Sequence, residues 1–193
     1  MIKNDRWIAE QAKQGMIPPF VSHLIRKFNG VPSVSFGASS FGFDVRLSPV
    51  EFRIFQHIPG HVINPLAFNP DNLKPTQLQK NEYGEYFILP AHSYGLATTI
   101  ERFQMPANVT GLVLNKSTYV RCGIVLPATV LEAGWCGHIT LEIANQSAED
   151  VMLFVNQGIA QVLFFEGESC QTDYEARAGK YQDQPEAIVM ARA

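Results

Sequence analysis

The sequence predicts an all-β fold, a distorted barrel or jelly roll behind one short N-terminal helix. Three observations predict it: apolar residues recur with a period of two through eight short segments, Gly and Pro punctuate the gaps, and only the first fifteen residues hold a helical pattern. At 193 residues the chain is long enough to bury one core, and two full domains would be crowded, so residues 1–193 are taken as a single domain.

The elements follow in order. Asn4 or Asp5 caps a helix whose semi-apolar side is Trp7, Ile8, Gln11 and Ala12, and Gly15 ends it before Pro18 and Pro19. Residues 51–55, 86–89, 94–103, 109–114, 123–126, 138–145, 151–155 and 159–165 alternate as strands do. Residues 56–84 contain Pro59, Pro65, Pro70 and Pro75 with few β-branched residues, which predicts a long loop or irregular excursion, of a length at which loops often carry function. The apolar stretch 151–165 is shorter than the ~20 residues of a spanning helix. It also carries Asn156, Gln157 and Gln161, so it reads as two buried strands.

Composition narrows the function classes. Fifteen Lys plus Arg against eighteen Asp plus Glu leave a net charge of -3, without the basic excess of a protein that grips nucleic-acid polymer. The 17% of charged residues falls below the ~25% usual for soluble domains, as expected of a surface partly covered by partner subunits. The first fifteen residues break every apolar run with a charge, so no secretion signal is expected and no membrane role. Cys122, Cys136 and Cys170 form an odd, widely spaced set that fits a reducing, cytoplasmic setting.

Several patterns imitate chemistry without its requirements. The run from Gly111 to Ser117 ends in Lys-Ser, yet Thr110 and Asn115 stand where a phosphate-binding loop needs glycines. None of the five histidines has Glu two residues later and no Cys-x-x-Cys exists, so a zinc-activated hydroxide has little support. Cys122 has no partner base named by sequence, and free Cys is ordinarily a small buried hydrophobe.

Other patterns carry more. In residues 138–145 alternation puts Ile139, Leu141 and Ile143 on one face and His138, Thr140, Glu142 and Ala144 on the other, so Glu142 points away from the apolar layer. Spacing alone makes it a carboxylate on a solvated face. Lys116-Ser-Thr-Tyr-Val-Arg121 places two cations and two hydroxyls within six residues, a set that binds oxyanions or forms a polar turn between strands. The tail near Tyr174 to Gln184 gathers Arg177, Gly179, Lys180, Tyr181 and Gln182, otherwise an ordinary solvated C-terminus.

Taken together, residues 116–124 (KSTYVRCGI), 132–142 (EAGWCGHITLE), 156–161 (NQGIAQ), 179–182 (GKYQ) and 39–46 (SSFGFDVR) resemble the dCTP deaminase family over nearly the whole chain. The resemblance implies a dUTPase-like trimer with nucleotide sites between subunits. It implies hydrolysis of dCTP to dUTP and ammonia, with Mg²⁺ carried on the triphosphate and no zinc. Glu142 matches the catalytic acid, with Ser117 and Arg121 beside it in catalysis. The nucleotide-binding stretch maps onto Lys116, Ser117, Thr118, Tyr119, Val120 and Arg121. Lys116, Ser117 and Thr118 suit the triphosphate, whereas Arg121 either binds nucleotide, holds Glu142 ionised or orders the attacking water. Glu132 would meet the deoxyribose 3′-hydroxyl, and Thr140 and Leu141 would read the cytosine edge. Gln161, Tyr174, Lys180 and Gln184 match the remaining contacts, the last three on a segment from about residue 172 that closes over the nucleotide. Feedback inhibition by dTTP is a trait of the family.

Departures from the family pattern are local. Asn115 and Lys116 stand for the commoner Gly and Arg, residues 125–131 (VLPATVL) replace Val-Asn-Val-Thr-Pro, Phe43 replaces Tyr and Glu132 replaces Asp. A bifunctional enzyme giving dUMP and pyrophosphate is the alternative expectation. A plain dUTPase lacks the Thr-Leu-Glu acid, and a non-catalytic binding trimer would be expected to have lost it.

Overall fold

A computed structural model describes residues 1–28 and 30–192. Helix α1 (Asp5–Lys13) starts where the Asn4 side chain accepts the Trp7 amide at 3.1 Å and buries Ile8 completely. Among the described residues thirteen strands follow, and all eight expected segments are among them. They are β1 (Ile25–Phe28), β2 (Val31–Ser39), β3 (Gly42–Phe55), β4 (Leu73–Pro75), β5 (Gln79–Asn81), β6 (Gly84–Leu89), β7 (Tyr94–Gln104) and β8 (Val109–Asn115). After a four-residue helix α2 (Ser117–Val120) come β9 (Ile124–Val125), β10 (Thr129–Leu131), β11 (Cys136–Asn145), β12 (Val151–Phe154) and β13 (Gly158–Glu166).

Ten strands form one antiparallel sheet whose main path runs β10-β8-β13-β3-β7-β11-β9, and β12-β6-β5 form a second. The long strand β3 joins the halves of the large sheet. Its first part pairs with β13 and β2, its second with β7 and β4, and the register shifts between Leu47 and Phe52. A break of register in a long strand is where a sheet bends. The bend brings β10, at one end of the path, to a cavity that β11 lines from the other half. Phe43, Leu47, Phe52, Phe103, Leu141 and Phe164 fill the interior so enclosed. Residues 151–165 do form two strands, but in different sheets.

The excursion 56–84 is only partly irregular: a 3-10 turn (Pro70–Asn72) leads into β4, and β5 pairs with β6. Among the described residues no helix is long and apolar enough to cross a membrane, and the three cysteines are unpaired.

Candidate active site

Strand β11 alternates without exception, its burial running half-buried then buried from Cys136 to Asn145. Ile139, Leu141 and Ile143 are buried, and Thr140 and Glu142 point the other way, into a cavity of about 440 Å³. That volume is within the range of small-ligand sites. The cavity lies between β11, β10 and the C-terminal tail. Its polar lining includes Glu142, Thr140, Thr129, Glu132 and Gln184. Its apolar side is an aromatic wall in which Phe55 packs on Tyr94 at 5.4 Å and on Phe68 at 6.0 Å between centroids. Phe68 is delivered by the Pro-rich excursion.

Burial pushes the Glu142 carboxyl above the ordinary glutamate range, with its own backbone amide and the Thr129 hydroxyl opposing. Tyr94, on the same side of the sheet two residues along from the partner of Glu142, is pushed up by burial and then by the Glu142 charge. A carboxyl so placed holds a proton closer to neutrality than a solvated one does, which suits it to taking and returning protons.

The tail runs along this cavity. Trp135 Nε1 donates to the Tyr181 carbonyl at 2.8 Å, and the His138 amide donates to the Gln184 carbonyl at 3.0 Å. The Thr140 hydroxyl donates to Gln184 Oε1 at 2.9 Å, which ties the expected cytosine reader to the tail. The Tyr181 amide donates to the Tyr174 hydroxyl at 3.0 Å, and Tyr174 itself lines the cavity. Lys180 is exposed, with its ammonium on the Arg192 carbonyl at 2.8 Å. Glu132 pairs with Arg177.

The second cluster surrounds α2. Ser117, Thr118, Val120 and Arg121 are exposed, and Arg121 makes no ion pair among the described residues. Lys116 is buried and its ammonium is paired with Asp44. Tyr119 is buried too, its hydroxyl accepting the Phe154 amide at 2.8 Å, so its side chain anchors α2 from within. Gln161 donates to Ser39 Oγ at 3.4 Å beside the Lys116–Asp44 pair. Asn115 accepts the Leu126 amide at 2.5 Å and thereby binds the segment before Pro127 to the start of α2.

One chain thus brings together Glu142, Thr140, Glu132, Tyr174 and Gln184. It gathers Lys116, Ser117, Thr118, Tyr119, Val120, Arg121 and Gln161 elsewhere, and none of these lines the cavity. Leu141 has its side chain in the core, which leaves only its backbone on the side of Glu142. Lys180 lies on the tail outside the cavity lining. Sequence reasoning passed over Trp135 and the wall of Phe55, Phe68 and Tyr94, which look like core from their apolar character, and Asp44, which sits in a hydrophobic strand. Among the described residues no three His, Cys, Asp or Glu side chains converge as a metal site would.

Comparison with known proteins agrees with the resemblance. The model of a family described as dCTP deaminase-like matches residues 2–167. The dCTP deaminase of Azoarcus sp. (strain BH72) is 43% identical over 182 residues, covering 93% of this chain and 93% of that protein. The dCTP deaminase of Campylobacter fetus subsp. fetus is 44% identical over 193 residues, 99% of this chain and 97% of that protein. Among solved structures, the 2′-deoxycytidine 5′-triphosphate deaminase of Agrobacterium tumefaciens shares the fold with a TM-score of 0.57 at 15% identity. The match covers 93% of this chain and 51% of that one, so the chain spans about half the length of the solved protein.

Proposed function

The chain belongs to the dCTP deaminase-like family, and on that premise we propose that it hydrolyses dCTP to dUTP and ammonia, supplying dUTP for dUMP and dTTP synthesis. The observation that carries the reading is the Glu142 carboxyl, half-buried at the side of a nucleotide-sized cavity and pushed up by that burial.

The chemistry needs one proton carrier used repeatedly. C4 of cytosine is a weak electrophile, so water must lose a proton as its oxygen bonds to C4 while ring N3 gains one. The Glu142 carboxylate takes the water proton and returns it to N3. It then takes the remaining hydroxyl proton as the C4–N bond breaks and gives it to the departing amine, leaving a carbonyl at C4. The balance is dCTP and water in, dUTP and ammonia out, with no zinc and no redox step.

Thr140 and the backbone at Leu141 lie beside Glu142 for the cytosine edge, and Glu132 for the 3′-hydroxyl. Ser117 and Thr118, with Gln161 and Lys116 behind them, serve the triphosphate, whose Mg²⁺ arrives as part of the substrate, and Arg121 reaches a neighbouring copy's site to hold its Glu142 ionised or to order the attacking water. Tyr119 and Val120 contribute backbone to the same stretch. Tyr174, Lys180 and Gln184 belong to the segment that closes over the bound nucleotide. The α2 cluster and the Glu142 cavity are separate in one chain, which supports a homotrimer in which a neighbouring copy completes each site. dTTP, the end product, is the expected feedback inhibitor, and the setting is cytoplasmic. No relative named above carries diphosphate release in its name, so the reading stays with deamination alone.

The test is incubation of purified protein with dCTP and Mg²⁺, with nucleotide products separated by anion exchange and ammonia assayed in parallel. dUTP with ammonia is expected; dUMP with pyrophosphate would overturn the monofunctional reading. Glu142→Gln, nearly isosteric but unable to shuttle protons, is expected to lower ammonia release by about a thousandfold or more, and unchanged release would sink the mechanism.

A further inference from the structure

Beneath α2 lies a buried ion pair between Lys116 and Asp44, whose carboxylate member has no role in the reaction described above. Asp44 on β3 is 2% exposed and Lys116 8%. Asp44 Oδ2 accepts from the Lys116 ammonium, and its Oδ1 has no hydrogen-bond partner among the described residues. The pair sits where three strands meet: Asp44 is directly opposite Gln161 of β13, and Gln161 is in turn opposite Leu114 of β8, two residues before Lys116.

Such a pair is a poor device for holding a fold together. Desolvation of two ions roughly offsets their attraction, and buried pairs are often replaceable by neutral side chains without loss of stability. Here one carboxylate oxygen is also left without a partner, and burial pushes the Asp44 carboxyl up despite the Lys116 charge. The location suggests another use. Lys116 is the residue from which α2 starts, with extended backbone and no side-chain cap to fix it. Its carbonyl accepts the Val120 amide at 3.1 Å. The helix has only four residues, too few to hold its own direction. Tyr119 pins its middle to Phe154, and Asn115 ties the strand before it to Leu126. Among the described residues, the Lys116–Asp44 pair is the side-chain ion pair that anchors the first turn, where Ser117 and Thr118 are exposed.

We propose that Asp44 is a positioning residue for triphosphate binding, acting through Lys116 to hold the Ser117–Thr118 turn in place. The inference rests on the deaminase reading for the identity of the ligand. It assigns Lys116 chiefly to the fold side of the turn, since its charge is already matched.

The deciding variant is the double Asp44→Asn, Lys116→Met, which removes both charges together and so leaves no unpaired buried ion. Binding of dCTP with Mg²⁺ is measured by titration calorimetry and turnover by ammonia release. The double variant is expected to raise Kd and KM about tenfold or more with kcat within about threefold. Asp44→Asn alone should give the same rise, because the two act as one unit. A double variant that folds and binds dCTP like wild type overturns the proposal, as does one that loses kcat with KM unchanged. Failure of the double variant to fold, seen as loss of its cooperative melt, would also overturn it, since the pair would then be structural. Wild-type protein that binds dCTP yet releases no ammonia would instead defeat the deaminase reading and leave the positioning role intact.

Discussion

Glu142 owes its chemistry to the strand that carries it. Its neighbours Leu141 and Ile143 are buried in the core, so β11 cannot rotate Glu142 out to solvent without exposing them. The carboxylate is therefore held half-dry, and its ionised form is disfavoured. The sign of the pH dependence follows. The carboxylate form must be present to take the water proton, and a raised pKa means that this form is lost at a higher pH on acidification than for a solvated glutamate. The acid limb of kcat/KM, measured across pH 4–8 in the free enzyme, should accordingly have its midpoint above the ~4.3 of an unperturbed glutamate. A midpoint at or below that value would mean that a cation approaching in the assembled site, Arg121 being the candidate, outweighs burial. The same residue shows what alternation reveals: its side of the strand was legible, and its role needed the surrounding motif.

At the scale of elements, the tail is held by directed hydrogen bonds from Trp135, His138 and Thr140, with a turn folded around Tyr174. Gly179 makes that turn possible by sheer lack of volume: a Cβ there would lie 2.1 Å from the Tyr174 ring. Gly179→Ala should displace Tyr174 from the cavity and raise KM for dCTP about tenfold, while Tm shifts by only a few degrees because Tyr174 is half-buried at the margin of the core and no fully buried side chain is displaced. Gly167→Ala, with nothing within 4 Å of the added Cβ, is the control and should change neither. Steady-state kinetics and a thermal melt read both. This tail has no periodicity, so its structure was not legible from pattern; only its residue types were. Strand β2 and the first part of β3 were missed too. In β3, Phe43, Val45 and Leu47 alternate with Asp44, Arg46 and Ser48, but the polar face is dry as well, Asp44 and Ser48 being buried, so the alternation marks the strand without marking a solvated side. Strand β10 was missed beside Pro127 because three residues are too few to show alternation, yet it supplies Thr129 beside the acid. The regular strands β7, β8, β11 and β13 were legible because one face of each is more buried than the other.

For the whole molecule, the separation of the two clusters has a consequence that can be tested without a structure of the assembly. Glu142 lines the cavity of its own chain, while Arg121, at the C-terminal cap of α2, is exposed outside it. If each site takes Glu142 from one copy and Arg121 from the next, Glu142→Gln and Arg121→Gln trimers are each inactive but fail for different reasons. Closed symmetry then makes mixing informative. When the two variants are denatured together, mixed in equal amounts and refolded, some neighbouring pairs present an intact Glu142 beside an intact Arg121. Random assortment gives about a quarter of the sites both native residues, and so about a quarter of wild-type ammonia release. The parent variants refolded separately and then combined should stay inactive until subunits exchange. Light scattering on the mixture should report three chains per particle. Absence of recovery in a correctly sized trimer would place both residues on one chain, and would require the tail and α2 to move together around the nucleotide.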